Sequence, residues 1–119
     1  MKKKKVLKTP IFGINSKSYM YGDRLLDLAK YADQLAEEYD MTIMLSAPYV
    51  DLARIAQETK NLIVNAQGMD PTDVGRGMGH VLPESLANVG VDGVFLNHEE
   101  RPMTLRQLVK SWDLIQLFS

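Results

Sequence analysis

Residues 42–64 read TIMLSAPYVDLARIAQETKNLIV, and this stretch sets the architecture. Thr42-Ile43-Met44-Leu45 is a short apolar run. Pro48 comes next, and proline suits the first turn of a helix. Leu52, Ile55 and Ala56 then fall on one side of that helix. Leu62-Ile63-Val64 is a second apolar run. Both runs are apolar throughout rather than alternating, as in strands covered on both faces. Two such strands joined through a helix are parallel, because a parallel pair needs a crossover connection.

The same unit recurs on either side. Ile11-Phe12-Gly13-Ile14 reads as the first strand. Residues 23–39 carry Leu25, Leu28, Ala29, Ala32, Leu35, Ala36 and Tyr39 at helical spacing, with Asp23 as the expected N-cap. A loop rich in Gly, Asp and Pro fills residues 67–81. Pro83 opens a short helix carrying Leu86, Ala87 and Val89, and Gly90 closes it. Gly93-Val94-Phe95-Leu96 reads as the fourth strand. A last helix is expected to bury Leu105, Leu108, Val109, Trp112 and Ile115. The fold class is therefore α/β, with four βα units and parallel strands. A basic tail over residues 1–10 precedes a single domain over residues 11–119.

With 119 residues there is room for one core, and fewer than the roughly 200 that a whole eight-unit barrel needs. A hydrophobic fraction of 45% argues against disorder. Lys and Arg number 14 against 15 Asp and Glu, so no basic face forecasts a nucleic-acid partner. There is no cysteine, which excludes disulfides, a thiol nucleophile and cysteine-ligated zinc, and fits a cytoplasmic protein. Met1-Lys2-Lys3-Lys4-Lys5 resembles the front of a signal peptide. Lys8 and Pro10 interrupt the apolar region such a peptide needs, so the lysines are expected to form a solvated tail. No apolar stretch approaches the roughly 20 residues of a membrane span, and no membrane partner is expected.

Ligands of parallel α/β folds sit beyond the carboxyl ends of the strands. Those ends carry Asn15, Ser16 and Lys17; Ser46 and Ala47; Asn65, Ala66 and Gln67; and Asn97, His98, Glu99, Glu100 and Arg101. Lys17 has the charge to hold an anion or steady a developing one, although a lone loop lysine is also an ordinary surface residue. His98 has acid, base and neutral hydrogen-bond donor chemistry available, or sits satisfied at a strand end. Glu99 and Glu100 fit a base and a partner for Lys17, or acidic residues at a helix start. His80 reads as structural, in the glycine-rich loop. His80, His98 and the carboxylates lack metal-ligand spacing, so neither a metal nor another cofactor is expected. Gly75-Arg76-Gly77-Met78-Gly79 lacks the Lys-Ser/Thr ending of a phosphate-binding P-loop.

Four segments in order resemble the triosephosphate isomerase family, in particular its archaeal-type branch. They are Asn15-Ser16-Lys17-Ser18-Tyr19, Ala66-Gln67, Gly79-His80-Val81-Leu82-Pro83-Glu84 and Leu96-Asn97-His98-Glu99-Glu100-Arg101. The resemblance spans about residues 11 to 110 and implies the first half of a (β/α)8 barrel. It implies that Asn15 and Lys17 contact a small phosphorylated sugar and that Lys17 steadies its negative charge. His98 matches the histidine that polarises the carbonyl, Glu100 the neighbouring proton-handling glutamate, and Arg101 the first arginine of that motif. The implied activity is aldose–ketose isomerisation of the glyceraldehyde 3-phosphate/dihydroxyacetone phosphate type.

The chain departs from the family's pattern at Glu99, where the family has serine, and at Pro102, where it has a second arginine. Met78 stands where the interface loop presents threonine. The family's base glutamate and phosphate loops come after later strands and match nothing here. Two expectations stand together: an isomerase incomplete as this chain alone, or a non-catalytic half-barrel fragment or self-associating module. Two open sheet edges and the apolar segment 112–119 favour a homo-oligomer.

Overall fold

A computed structural model describes residues 5–118; residues 1–4 and 119 lie outside the described residues, and with them most of the lysine run and the last residue of the apolar tail. Strands β1 (Ile11–Asn15), β2 (Thr42–Ala47), β3 (Ile63–Ala66) and β4 (Gly93–Val94) alternate with helices α1 (Gly22–Glu38), α2 (Tyr49–Glu58), α3 (Pro83–Val89) and α4 (Leu105–Phe118). All neighbouring strands are parallel, in the order β1-β2-β3-β4, so spatial order repeats chain order. This is half of a TIM-type barrel. The register aligns Asn15 with Ser46, Ser46 with Asn65 and Asn65 with Gly93, which brings the strand ends level.

One face of the sheet makes the core. Ile43, Leu45, Ala47, Val64 and Ala66 pack with Leu25, Ala29, Ala32 and Ala36 of α1 and Leu52 and Ile55 of α2. Burying each large apolar side chain contributes about 1.5–3 kcal/mol. Successive side chains alternate faces, so Thr42, Ser46 and Asn65 point to the other side, yet they too are buried. Asn65 Nδ2 donates to Ser46 Oγ at 2.9 Å. Asn65 Oδ1 lies 2.8 Å from the place a Cβ on Gly93 would occupy, so β4 approaches closely enough only because residue 93 is glycine.

The helices begin and end for identifiable reasons. Gly90 has φ 93°, a left-handed cap that closes α3 as its sequence suggests. Asp33 Oδ1 accepts from the backbone N–H groups of Lys60, Asn61 and Leu62, at 3.0, 2.6 and 2.7 Å, and so fixes the entry to β3. Asp23 is not the N-cap of α1. Tyr21 holds that position with no side-chain cap, and the Gly22 N–H donates instead to Asp51 Oδ1 at 2.9 Å. The Asp23 carboxylate pairs with Arg54. Tertiary partners have displaced the local cap. Pro48 caps α2 from one residue outside it rather than within its first turn.

Two expectations change more. The last helix buries Ser111 and Leu114, and Leu108 and Ile115 in part, whereas Leu105, Val109 and Trp112 are exposed. It packs chiefly on α3, so the face turned inward is set by that neighbour. The basic segment is not simply solvated. Lys5 Nζ donates to the Leu62 carbonyl and pairs with Asp92 at 2.8 Å, and the Lys8 N–H donates to Thr42 Oγ1 at 2.9 Å. This segment crosses the amino ends of β2, β3 and β4. The fourth strand is shorter than its apolar run. Phe95 N–H still donates to Ala66 O at 3.0 Å, and the chain then turns through Asn97 at φ 58°.

Candidate active site

The site is built where the four strands end. β1 closes on Asn15, and the Ser16 N–H carries the pairing one step further by donating to Ser46 O at 3.1 Å. Lys17 then adopts φ 50°. A left-handed backbone costs a non-glycine residue roughly 1–2 kcal/mol, so neighbours must hold it. They do: the Lys17 N–H donates to Asn15 Oδ1 at 2.9 Å, and Gln67 Nε2 donates to Lys17 O at 2.9 Å. The same Gln67 amide reaches Asn15 Oδ1 at 3.3 Å and Ser16 Oγ at 3.4 Å. Gln67 thus ties the end of β3 to the turn after β1.

The strained turn aims Lys17 across the mouth of the sheet. Its Nζ donates to Glu100 Oε2 at 2.8 Å, joining residues that lie after β1 and β4. This hydrogen bond raises the Lys17 pKa above its usual value and holds Glu100 below its own. Glu99, exposed beside it, adds a further negative charge that Lys17 feels.

His98 is oriented by the same turn. The Glu100 backbone N–H donates to His98 Nδ1 at 3.1 Å, and the Arg101 N–H donates to His98 O at 2.8 Å. A nitrogen that accepts a hydrogen bond carries no proton, so this geometry assigns the neutral ring its proton on Nε2. Phe95 lies beside the ring, with centroids 6.1 Å apart. Asn97 tolerates its left-handed backbone as asparagine commonly does, and its Oδ1 accepts from the Met103 N–H at 2.9 Å, which shapes the exit toward α4.

Asn15, Lys17, Gln67, His98, Glu100 and Arg101 therefore line one open cleft of about 490 Å³. An ammonium ion, an imidazole and side-chain amides face the same space. Such a set can hold an anionic ligand and polarise an oxygen. Among the described residues, no group of three or more His, Cys, Asp or Glu is placed to hold a metal ion.

Other candidates lie apart. His80 Nδ1 pairs with Thr72 Oγ1 at 2.9 Å and braces its own loop. Asp70 closes the base of that loop, accepting from the Val81 N–H at 2.7 Å. Met78 stands fully exposed at its outer end. Gln67 and Tyr49 carry more of the site's architecture than their sequence positions suggest. Gln67 comes just after a strand end, which is a usable signal. Tyr49 opens a helix, and nothing local marks it.

A model of the triosephosphate isomerase family matches residues 10–112. The chain is similar to triosephosphate isomerase from Methanobacterium bryantii, with 38% identity over 105 residues, covering 87% of this chain and 46% of that protein. It is 32% identical to triosephosphate isomerase from Sulfolobus acidocaldarius over 115 residues, covering 95% of this chain and 50% of the relative. Among solved structures, triosephosphate isomerase from Bartonella henselae superposes with a TM-score of 0.68 at 18% identity, covering 89% of this chain and 48% of that one, which shows the shared fold. The chain spans about half the length of the curated relatives it matches. On the family match over most of its residues, the chain belongs to the triosephosphate isomerase family.

Proposed function

We propose that this chain carries the substrate-holding and carbonyl-polarising half of an isomerase site for glyceraldehyde 3-phosphate and dihydroxyacetone phosphate. One observation carries the reading: Lys17, Glu100 and His98 converge on a single cleft, with His98 Nδ1 held by the Glu100 N–H and Nε2 left to face a ligand. The isomerisation moves a proton between neighbouring carbons while negative charge gathers on the carbonyl oxygen. A neutral imidazole donor and a nearby ammonium stabilise that charge. Lys17 and Asn15 hold the substrate, His98 polarises the carbonyl, and Glu100 fixes Lys17 and handles protons beside it. The carbon-bound proton also needs an acceptor. Glu100 is engaged by Lys17, and no residue of this chain is assigned that role. Because general-base catalysis contributes about 10²–10⁴-fold, binding without efficient turnover is the expected behaviour of these 119 residues.

The test is a titration of the 119-residue chain with glyceraldehyde 3-phosphate, monitored by NMR and paired with an isomerisation assay. Binding that perturbs Lys17 and His98 and weakens in Lys17→Ala and His98→Gln supports the reading. Binding unchanged in both variants removes these residues from the site. Turnover that disappears in His98→Gln means that the half-barrel or its assembly supplies the base, with Glu99 the first residue to substitute.

A second reading, a self-associating half-barrel, draws on a separate observation. β1 and β4 are open edges of the sheet, and Phe12, Leu105, Val109 and Trp112 are exposed apolar residues. A homo-oligomer covers both. Sedimentation across concentrations checks this, and a monomer at every concentration rejects it. A place in glycolysis and a cytoplasmic location belong to the same proposal. No helix among the described residues is long and apolar enough to cross a membrane.

A further inference from the structure

Arg101 lines the cleft. An exposed arginine beside an anion-holding lysine would ordinarily be read as a phosphate grip. Its surroundings say otherwise. Nη1 donates to the Tyr49 hydroxyl, and the guanidinium carbon lies 5.8 Å from the centre of the Tyr49 ring. Nη2 is 3.8 Å from Asp70 Oδ1. Asp70 is itself fixed, since its N–H donates to Val81 O at 2.9 Å and its other carboxylate oxygen accepts from Val81 N–H. Desolvation raises the Tyr49 pKa, so the hydroxyl keeps its proton and accepts as a neutral group.

The floor of this arrangement is Gly68. A Cβ there would sit 3.0 Å from the Tyr49 hydroxyl and 3.2 Å from Arg101 Nη1. The missing side chain is what lets arginine and tyrosine meet. Tyr49 lies after β2, Asp70 after β3 and Arg101 after β4, so the cluster links three strand ends. At its other end the Arg101 backbone N–H closes the turn onto His98 O at 2.8 Å. That turn places the Glu100 amide on His98 Nδ1 and the Glu100 carboxylate on Lys17.

We propose that Arg101 is a positioning residue: clasped by Tyr49 and Asp70 over Gly68, it anchors the turn that sets the tautomer of His98 and the reach of Glu100. Lys17 is then the cation that meets an anionic ligand. This rests on the reading that the cleft is the site, but its decisive measurement needs no substrate.

The experiment tracks the ring nitrogens of His98 and the amide of Glu100 by ¹⁵N NMR in the free chain. It compares Tyr49→Phe, Arg101→Lys and Gly68→Ala, and then titrates inorganic phosphate. Tyr49→Phe removes one oxygen, so it keeps the test usable if Gly68→Ala does not fold. Amides of β2 and β3 serve as the control for the fold. The expected result is that Tyr49→Phe and Arg101→Lys both move the His98 Nδ1 and Glu100 amide signals toward a mixed-tautomer, unconstrained ring. Phosphate affinity should change by less than about threefold, as for a cation whose interactions lie elsewhere. Lys17→Ala should lower it about tenfold or more, as for loss of a charge-assisted contact.

The opposite pattern overturns the proposal: unmoved His98 nitrogens with phosphate binding about tenfold weaker in Arg101→Lys, as expected of a direct bidentate grip. Unmoved nitrogens with unmoved affinity overturn it as well. If the nitrogens respond but no triose phosphate binds, the functional reading fails and the positioning role stands.

Discussion

The centre of the sheet and its rim are built on different terms. Along β2 and β3, nine of ten residues are buried, with Met44 alone intermediate. Along β1, four of five are exposed. The same kind of apolar run, Ile11-Phe12-Gly13-Ile14 or Thr42-Ile43-Met44-Leu45, thus ends in opposite environments. The difference is the number of neighbours. β2 and β3 each pair on both sides, whereas β1 and β4 pair on one. Stability resides where strands have two partners and helices cover them. The polar chemistry resides at the strand ends, where backbone strain and unmatched charge are tolerable because the centre is firm.

Substitutions in the core and on the rim of α4 should separate most widely. Leu45 is wholly buried and Trp112 is 61% exposed. Leu45→Ala is expected to lower unfolding free energy by about 2–5 kcal/mol, the range for a large-to-small core change. Trp112→Ser should stay within about 0.5 kcal/mol as a surface change. Urea melts measure both. Equal losses would mean that the rim of α4 is covered in solution.

A middle-sized effect separates helix from turn. Lys30→Gly, in the interior of α1, should cost about 1 kcal/mol because glycine is a poor helix former. Lys17→Gly replaces a side chain held at φ 50°. It should leave stability unchanged, or raise it by up to about 1 kcal/mol, by releasing the left-handed strain. The same variant should lose affinity for triose phosphate. Thermal melts paired with a titration test both halves of that expectation.

The smallest effect is the pH response of the rim. Glu100 is held below its ordinary value of 4.5, so the favourable contribution of its pair with Lys17 is present above that value. It is lost as pH falls through the lowered pKa. Lys17 is raised above 10.5, so the contribution is present below 10.5 and lost as pH rises through the raised pKa. Between those limits the pair is intact. Both groups are exposed, so global stability should barely register its loss. The Glu100 amide signal should register it in an NMR titration. A Glu100 midpoint at or above 4.5 would mean that the pair does not persist in solution.

Much of this was legible from the residues. The four βα units, the left-handed Gly90 cap and the gathering of Asn15, Lys17, His98 and Glu100 stem from apolar periodicity and from the rule that parallel strands share one functional end. The misreadings share a cause. Asp23 has the chemistry of a helix cap, but Asp51, distant in sequence, takes the Gly22 N–H and Arg54 takes Asp23. Trp112 and Val109 have the spacing of a buried face, but α4 buries Ser111 and Leu114 instead. Lys5 has the look of a solvated residue until Leu62 and Asp92 come within its reach.

The alternation of elements, the parallel sheet and the identity of the side chains at the strand ends are written in the linear order of residues. They depend on local spacing and on handedness rules that hold for any such chain. The left-handed backbone of Lys17 braced by Gln67, the pairing of Lys17 with Glu100 and the commitment of Arg101 to Tyr49 and Asp70 arise only once the chain has folded. Each of those depends on groups from different strands arriving within hydrogen-bonding distance, and a few ångströms of separation change the outcome. Periodicity along the chain does not encode distances of that kind between its remote parts.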